Sequence, residues 1–182
     1  MKAISKLTQI KELEAWFDNR NITNKEFTVI CEHISKLKQL KSLILILEKN
    51  KIRKLLPLAE VLKNLTELRK LHITLFKNEY IESIPEFADA LKKLEKLKEL
   101  YLDLSYCRLW LKDFIAIARA LRHLLKLNLK KFKVNLAGNI EVIDYFGNVE
   151  WGIIEALKEE FEALEEYQKD IVIREDIELF LD

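Results

Sequence analysis

His72, Asp103 and Ser105 are the nearest this sequence comes to a catalytic set: a base, an orienting carboxylate and a hydroxyl nucleophile. Such a set works only when the base lies within hydrogen-bond reach of the nucleophile and a water-excluding pocket supplies oxyanion donors. The glycine turns that build such pockets are missing near these residues, because the chain's three glycines, Gly138, Gly147 and Gly152, all follow residue 137. No Gly-rich phosphate loop occurs either. The three histidines (His33, His72, His123) and two cysteines (Cys31, Cys107) lack metal-ligand spacing, and His33 and His123 read as helix-end residues. The expectation is therefore no catalytic residue, no metal and no cofactor. What remains is recognition chemistry, carried by apolar, aromatic and basic side chains.

The elements that would position these side chains follow from an internal repeat. Leu37, Leu40, Leu43, Leu45, Leu47, Asn50 and Ile52 recur 28 residues on as Leu65, Leu68, Leu71, Ile73, Leu75 and Asn78, closed by Tyr80 or Ile81. They recur a further 29 on as Leu94, Leu97, Leu100, Leu102, Leu104, Cys107 and Leu109. A degenerate first copy reads Leu7, Ile10, Leu13, Ala15, Phe17 and Ile22, and a fifth opens with Leu121, Leu124, Leu127 and Leu129 before the pattern is lost. Within each copy the spacing changes from threes to twos, so each should hold a helical or turn segment followed by a strand. Leu55 to Leu62, and Ile84, Phe87, Ala88 and Leu91, have apolar residues at helical spacing, and strands alternating with helical crossovers must run parallel.

This pattern resembles that of leucine-rich-repeat proteins, nearest in repeat length to the ribonuclease-inhibitor-like class. The lines LKSLILILEKNKI and LKELYLDLSYCRL carry an extra Leu-x step similar to repeats of ciliate protists. The resemblance covers roughly residues 4 to 130. It implies an α/β leucine-rich-repeat solenoid of about five to six repeats, with parallel strands on a concave face and helices on the convex face. It also implies that Asn50, Asn78 and Cys107 satisfy backbone groups in the ascending loops. The glycines that often follow the Asn in this class are absent, so irregular loops are expected.

One domain is expected over residues 1–182, with regular repeats in 1–130. Residues 131–152 read as an insertion in which KFKVN and IEVIDYF, around LAGN, form a β-hairpin. Residues 153–182 read as an acidic terminal repeat or cap, with helical spacing at Ile154, Leu157, Phe161 and Leu164 and a strand at Ile171 to Ile173.

If the leucines point inward, the alternate residues face the concave surface: Glu14, Trp16, Asp18; Ile44, Ile46, Glu48; His72, Thr74, Phe76; Tyr101, Asp103, Ser105; Asn128 and Lys130. From these, Trp16, Ile44, Ile46, His72, Phe76, Tyr101 and Asp103 are the candidate partner-binding residues, an apolar and aromatic patch edged by charge with both isoleucines outward. A register slip of one residue, or cover from the insertion or termini, is the competing reading. A second row is basic. Lys41, Arg69 and Lys98 fall at equivalent positions where strands begin, with Lys70 and Lys126 one step on, a rim for RNA or another polyanion. Glu67, Glu95 and Glu99 interrupt it, so a solvated edge is the plainer alternative.

Charge totals of 31 basic and 30 acidic residues demand no polyanionic partner, but they hide a separation. Residues 1–133 hold 28 basic and 16 acidic side chains, and residues 134–182 hold 3 and 14. Such asymmetry suits complementary contact with partners or head-to-tail contact between copies. The densest apolar run, Leu43 to Leu47, is far short of the roughly 20 residues that cross a bilayer. The N-terminus lacks a signal-peptide apolar stretch, and two distant cysteines do not suggest a disulfide framework. The expectation is an intracellular, cytoplasmic protein, with nucleus and mitochondrion as alternatives. It would be a non-catalytic interaction module or scaffold subunit of a larger complex, holding protein partners and no membrane. An RNA-associated protein is the alternative.

Overall fold

A computed structural model of the chain describes residues 9–127, 129–139 and 171–172. Among the described residues there are six strands and four helices, alternating as far as β5. The order is β1 (Glu12–Trp16), α1 (Asn24–Ile34), β2 (Ser42–Ile46), α2 (Leu56–Asn64), β3 (Lys70–Thr74), α3 (Ile84–Lys92), β4 (Glu99–Asp103), α4 (Leu111–Lys126), β5 (Lys131–Asn135) and β6 (Ile171–Val172). Each strand pairs in parallel with the next in sequence, and each helix packs on the next helix. The result is one parallel sheet with the helices in a single layer on one face, an arrangement compatible with a solenoid.

The period-two leucines face the helices. Leu43, Leu45 and Leu47, then Leu71, Ile73 and Leu75, then Leu100, Leu102 and Leu104 are buried against Phe27, Phe87 and Phe114 from the helices. Helix starts are set locally. Thr23 and Glu26 form a reciprocal cap on α1, and both prolines of the chain, Pro57 and Pro85, sit in the first turn of α2 and α3, where a missing N–H costs nothing. In α4 the buried Asp113 carboxylate accepts the Trp110 N–H at 2.9 Å.

Between each strand and the following helix the chain turns inside the molecule, and its peptide groups need partners. The Asn78 amide supplies them: its oxygen accepts the Ile52 N–H at 3.1 Å, and its nitrogen donates to the Leu47 and Leu75 carbonyls at 2.7 and 2.9 Å. Asn50 does the same for the first turn, accepting from Arg20 and Ile22 at 3.0 Å and donating to Phe17 at 2.8 Å. Asn139 extends the series, accepting from Cys107 N at 2.6 Å and donating to Leu104 and Leu136 at 2.7 and 2.8 Å. Lys49, Lys77 and Tyr106, each just before a ladder residue, take left-handed backbone at φ 52°, 56° and 56°, and Arg108, just after Cys107, takes it at φ 55°.

Two expectations at the C-terminal side are corrected. The fifth strand does not start at Leu127, because α4 runs on to Lys126 and shifts the pairing so that Glu99 meets Lys131. KFKVN, expected to open an inserted hairpin, is instead β5, hydrogen-bonded to β4 on one side and, at Val134 and Asn135, to β6 on the other. Its expected hairpin partner IEVIDYF, and the helical spacing from Ile154 to Leu164, lie outside the described residues.

Replacing Asn78 with Ala removes the acceptor that serves Ile52 N among the described residues, and one donor each from the Leu47 and Leu75 carbonyls. Orphaned buried groups cost about 1–3 kcal/mol apiece, so the variant is expected to lose about 3 kcal/mol. In a chain of this size that lowers Tm by about 6–12 °C, measurable by thermal unfolding.

Candidate functional site

The sheet face turned away from the helices brings the seven predicted partner-binding residues onto one surface. One row across the strands reads Glu14, Ile44, His72, Tyr101 and Lys133, and the next reads Trp16, Ile46, Thr74, Asp103 and Asn135. Phe76 follows β3, beyond Thr74. Side chains within a row stand about 5 Å apart because the strands do. The His72 and Tyr101 rings accordingly contact at 4.2 Å between centroids, tilted by 55°.

Exposure within the face is uneven. Trp16, on the last strand of the N-terminal side, is 64% exposed, its indole N–H donating to Glu14 Oε1 at 2.7 Å. Ile44, His72, Phe76 and Tyr101 are half-buried. Ile46, expected to point outward to solvent, is only 7% exposed, and its row neighbour Thr74 is 4%. It is on the expected face but is packed between its neighbours, so only one of the two isoleucines is accessible to a partner.

Two shallow hollows flank this band. Toward the strand starts, a hollow of about 220 Å³ is lined by Lys70, His72, Tyr101, Glu99, Lys131 and Lys133. Burial first, and then Lys70, pushes the His72 pKa down, which keeps the ring neutral near pH 7. Toward the strand ends, a second hollow of about 360 Å³ is lined by Glu48, Phe76, Asp103, Ser105, Tyr106 and Asn135. Burial raises the Glu48 pKa, with the carboxylates of Asp18 and Asp103 adding to the effect. The open face is thus cationic at one end, aromatic in the middle and anionic at the other.

The His72, Asp103 and Ser105 set is not assembled as a relay. Asp103 Oδ1 accepts directly from the Ser105 hydroxyl at 2.5 Å, and Asp103 Oδ2 accepts from Asn135 Nδ2 at 3.0 Å. His72 Nε2 instead pairs with Thr74 Oγ1 at 3.2 Å. A hydroxyl that donates to a carboxylate and has no imidazole behind it is a structural clasp. Among the described residues no group of three or more His, Cys, Asp or Glu is placed to hold a metal. Cys31 and Cys107 are buried free thiols, with pKa values pushed up to about 12 by burial.

The basic row is aligned by the backbone itself. The Lys41, Arg69 and Lys98 carbonyls accept from the N–H groups of Arg69, Lys98 and Lys130, each just before the next strand, at 2.8, 2.8 and 2.9 Å, and the ladder extends back to Lys11 before β1. Lys70 opens β3, whereas Lys126 ends α4 and falls out of the row, where Lys130 stands instead. Asn128, expected on the concave face, is not described, and Lys130 belongs to the rim. Carboxylates stand inside this row: Glu67 pairs with Lys96 at 2.5 Å and is held low by Lys96 and then Arg69 and Lys41, and Glu99 lies 3.8 Å from Lys131. Lys131, Lys133 and Asn135 of the open face were missed with β5. The signal was available in Phe132, Val134, Leu136 and Asn139, which repeat the spacing of Leu43, Leu45, Leu47 and Asn50.

No protein-family model matches this chain, and no curated protein matches it. No helix among the described residues is long and apolar enough to cross a membrane.

Because the folded protein raises the Glu48 pKa above its unfolded value, the charged carboxylate destabilises the fold at neutral pH. The variant Glu48→Gln is expected to melt slightly above wild type at pH 7. That advantage should shrink as the pH falls through the raised Glu48 pKa, where the wild-type side chain takes up its own proton; parallel melts across pH measure it.

Proposed function

We propose that this chain is a leucine-rich-repeat protein of the ribonuclease-inhibitor-like class that serves as a non-catalytic interaction module, an accessory or scaffold subunit holding a partner protein on the open sheet face. The observation that carries the reading is the band of Trp16, Ile44, His72, Phe76 and Tyr101 set between a cationic and an anionic hollow. Aromatic side chains in a half-desolvated, charge-rimmed patch are the kind of surface on which a few residues dominate binding. The fitting partner places an apolar side chain against Ile44 and Tyr101, a carboxylate toward Lys70 and Lys133, and an ammonium or guanidinium group toward Glu48 and Asp103. Another copy of the chain, stacked head to tail, is the alternative occupant. Two buried free cysteines suit an intracellular, cytoplasmic setting.

Affinity capture with the wild type and with Ile44→Asp and Tyr101→Ala variants tests this. Ile44 is half-buried on the surface, so Ile44→Asp should keep the wild-type melting temperature. It should weaken the captured partner's binding by about 2 kcal/mol or more, roughly 30-fold. Ile46→Asp, by contrast, puts a charge at a buried site and should lower the melting temperature. A partner bound equally well by wild type and by both surface variants would remove the open-face reading. A sedimentation profile that shifts to larger species with protein concentration alone would point to the second copy.

A further inference from the structure

The loops that lead from strands into helices carry a second charged surface, of different character from the rim at the strand starts. Tyr80 is 47% exposed and lies between two guanidinium groups: Arg53 at 5.5 Å and Arg108 at 4.3 Å from the ring centroid, with Arg108 also hydrogen-bonded to the Tyr80 hydroxyl. Next to it, Lys77 sits 5.1 Å from the Phe76 ring and 5.6 Å from the Tyr106 ring, and Lys49 lies 5.9 Å from Phe76. Tyr106 and Trp110, in the same loop as Arg108, are 40% and 49% exposed. The acidic residues among these loops are Glu48, Glu79 and Glu82.

We propose that this loop edge binds single-stranded nucleic acid, with Arg53 and Arg108 holding phosphates and the exposed Trp110 indole stacking on a base. Two observations carry it. First, at the strand-start rim basic residues face carboxylates, as in the Lys96–Glu67 and Lys131–Glu99 pairs, whereas among the described residues Arg53, Arg108, Lys49 and Lys77 form no ion pair and rest on aromatic rings. An aromatic ring holds a guanidinium in place without neutralising it, so the charge stays available to a phosphate. Second, cations and exposed aromatics alternate along one edge, in loops about 5 Å apart, which suits a flexible strand with its bases unstacked. A phosphopeptide would use the cations and leave the aromatic faces idle. This surface adjoins the open-face band at Phe76 and at Tyr106 of the anionic hollow, whereas Arg53 and Arg108 line neither hollow of that band.

The test is fluorescence anisotropy with a labelled 12-nucleotide oligouridylate, a duplex of equal length and a polyglutamate peptide of equal charge. The oligouridylate should bind the full chain most tightly, with affinity falling steeply as salt rises. Arg53→Gln together with Arg108→Gln should weaken it at least tenfold and lower the salt slope by about two, whereas Lys96→Gln with Lys131→Gln should change it little. Lys77→Gly relaxes a left-handed residue, so it should weaken binding without lowering the melting temperature, which separates a binding role from a structural one. No binding at low salt, an unchanged affinity in the double arginine variant, or equal affinity for polyglutamate would each overturn the proposal.

Discussion

A turn buried between a strand and a helix must find a partner for every peptide group it carries, and in this chain buried side-chain amides provide them. Asn50, Asn78 and Asn139 each bond at once to their own turn and to the preceding one. That double attachment sets the spacing between successive units more tightly than leucine packing does, since apolar contacts tolerate small slides and a two-sided amide does not. With the turns fixed, the strands fall into parallel register and the leucines of each enter the same core layer. Strands β1 to β5 are only five residues long, so none would persist without its neighbours.

The same constraint fixes where side chains can emerge. Alternate strand residues stand in rows on the open face, the strand-leading residues stand in a row at one edge, and the residues just before each amide are forced into left-handed backbone at the other. Three surfaces of different chemistry therefore follow from one backbone plan. The open face mixes aromatic and charged groups, the strand-start edge pairs its cations with carboxylates, and the loop edge lays its cations on rings.

Most of the plan was legible because period two and period three are written in leucine. The rows containing Ile44, His72 and Tyr101 follow directly from that alternation, whereas the bonding of Asn50 and Asn78 was expected only from the resemblance to leucine-rich-repeat proteins. What failed has a physical cause. Helix α4 is 16 residues long where α2 and α3 are 9, so Leu127 and Leu129 came too early to be strand residues, and the search at a constant period passed over Phe132 and Val134. The burial of Ile46 was hidden because alternation gives the direction of a side chain but not the size of its neighbours. The rings that carry Arg53, Arg108 and Lys77 come from adjoining turns 27 to 29 residues away, for Tyr80 against Arg53, Arg108 against Tyr80 and Tyr106 against Lys77. Contacts of that kind have no local pattern.

Cys107 shows how far the amide rule bends. A thiol can donate one weak hydrogen bond but cannot replace an amide oxygen that accepts from the preceding turn. Here Sγ donates to the Leu75 carbonyl at 3.1 Å, and the Ile81 N–H, which would otherwise need that oxygen, reaches the Cys107 main-chain carbonyl at 3.1 Å. The exchange holds only while the thiol keeps its proton, and burial ensures that by raising its pKa to about 12. A small, buried, fully protonated cysteine can therefore occupy a ladder position that an exposed or ionised one could not. The turn shifts the accepting role from side chain to backbone, and the unit spacing changes by no more than a residue or two.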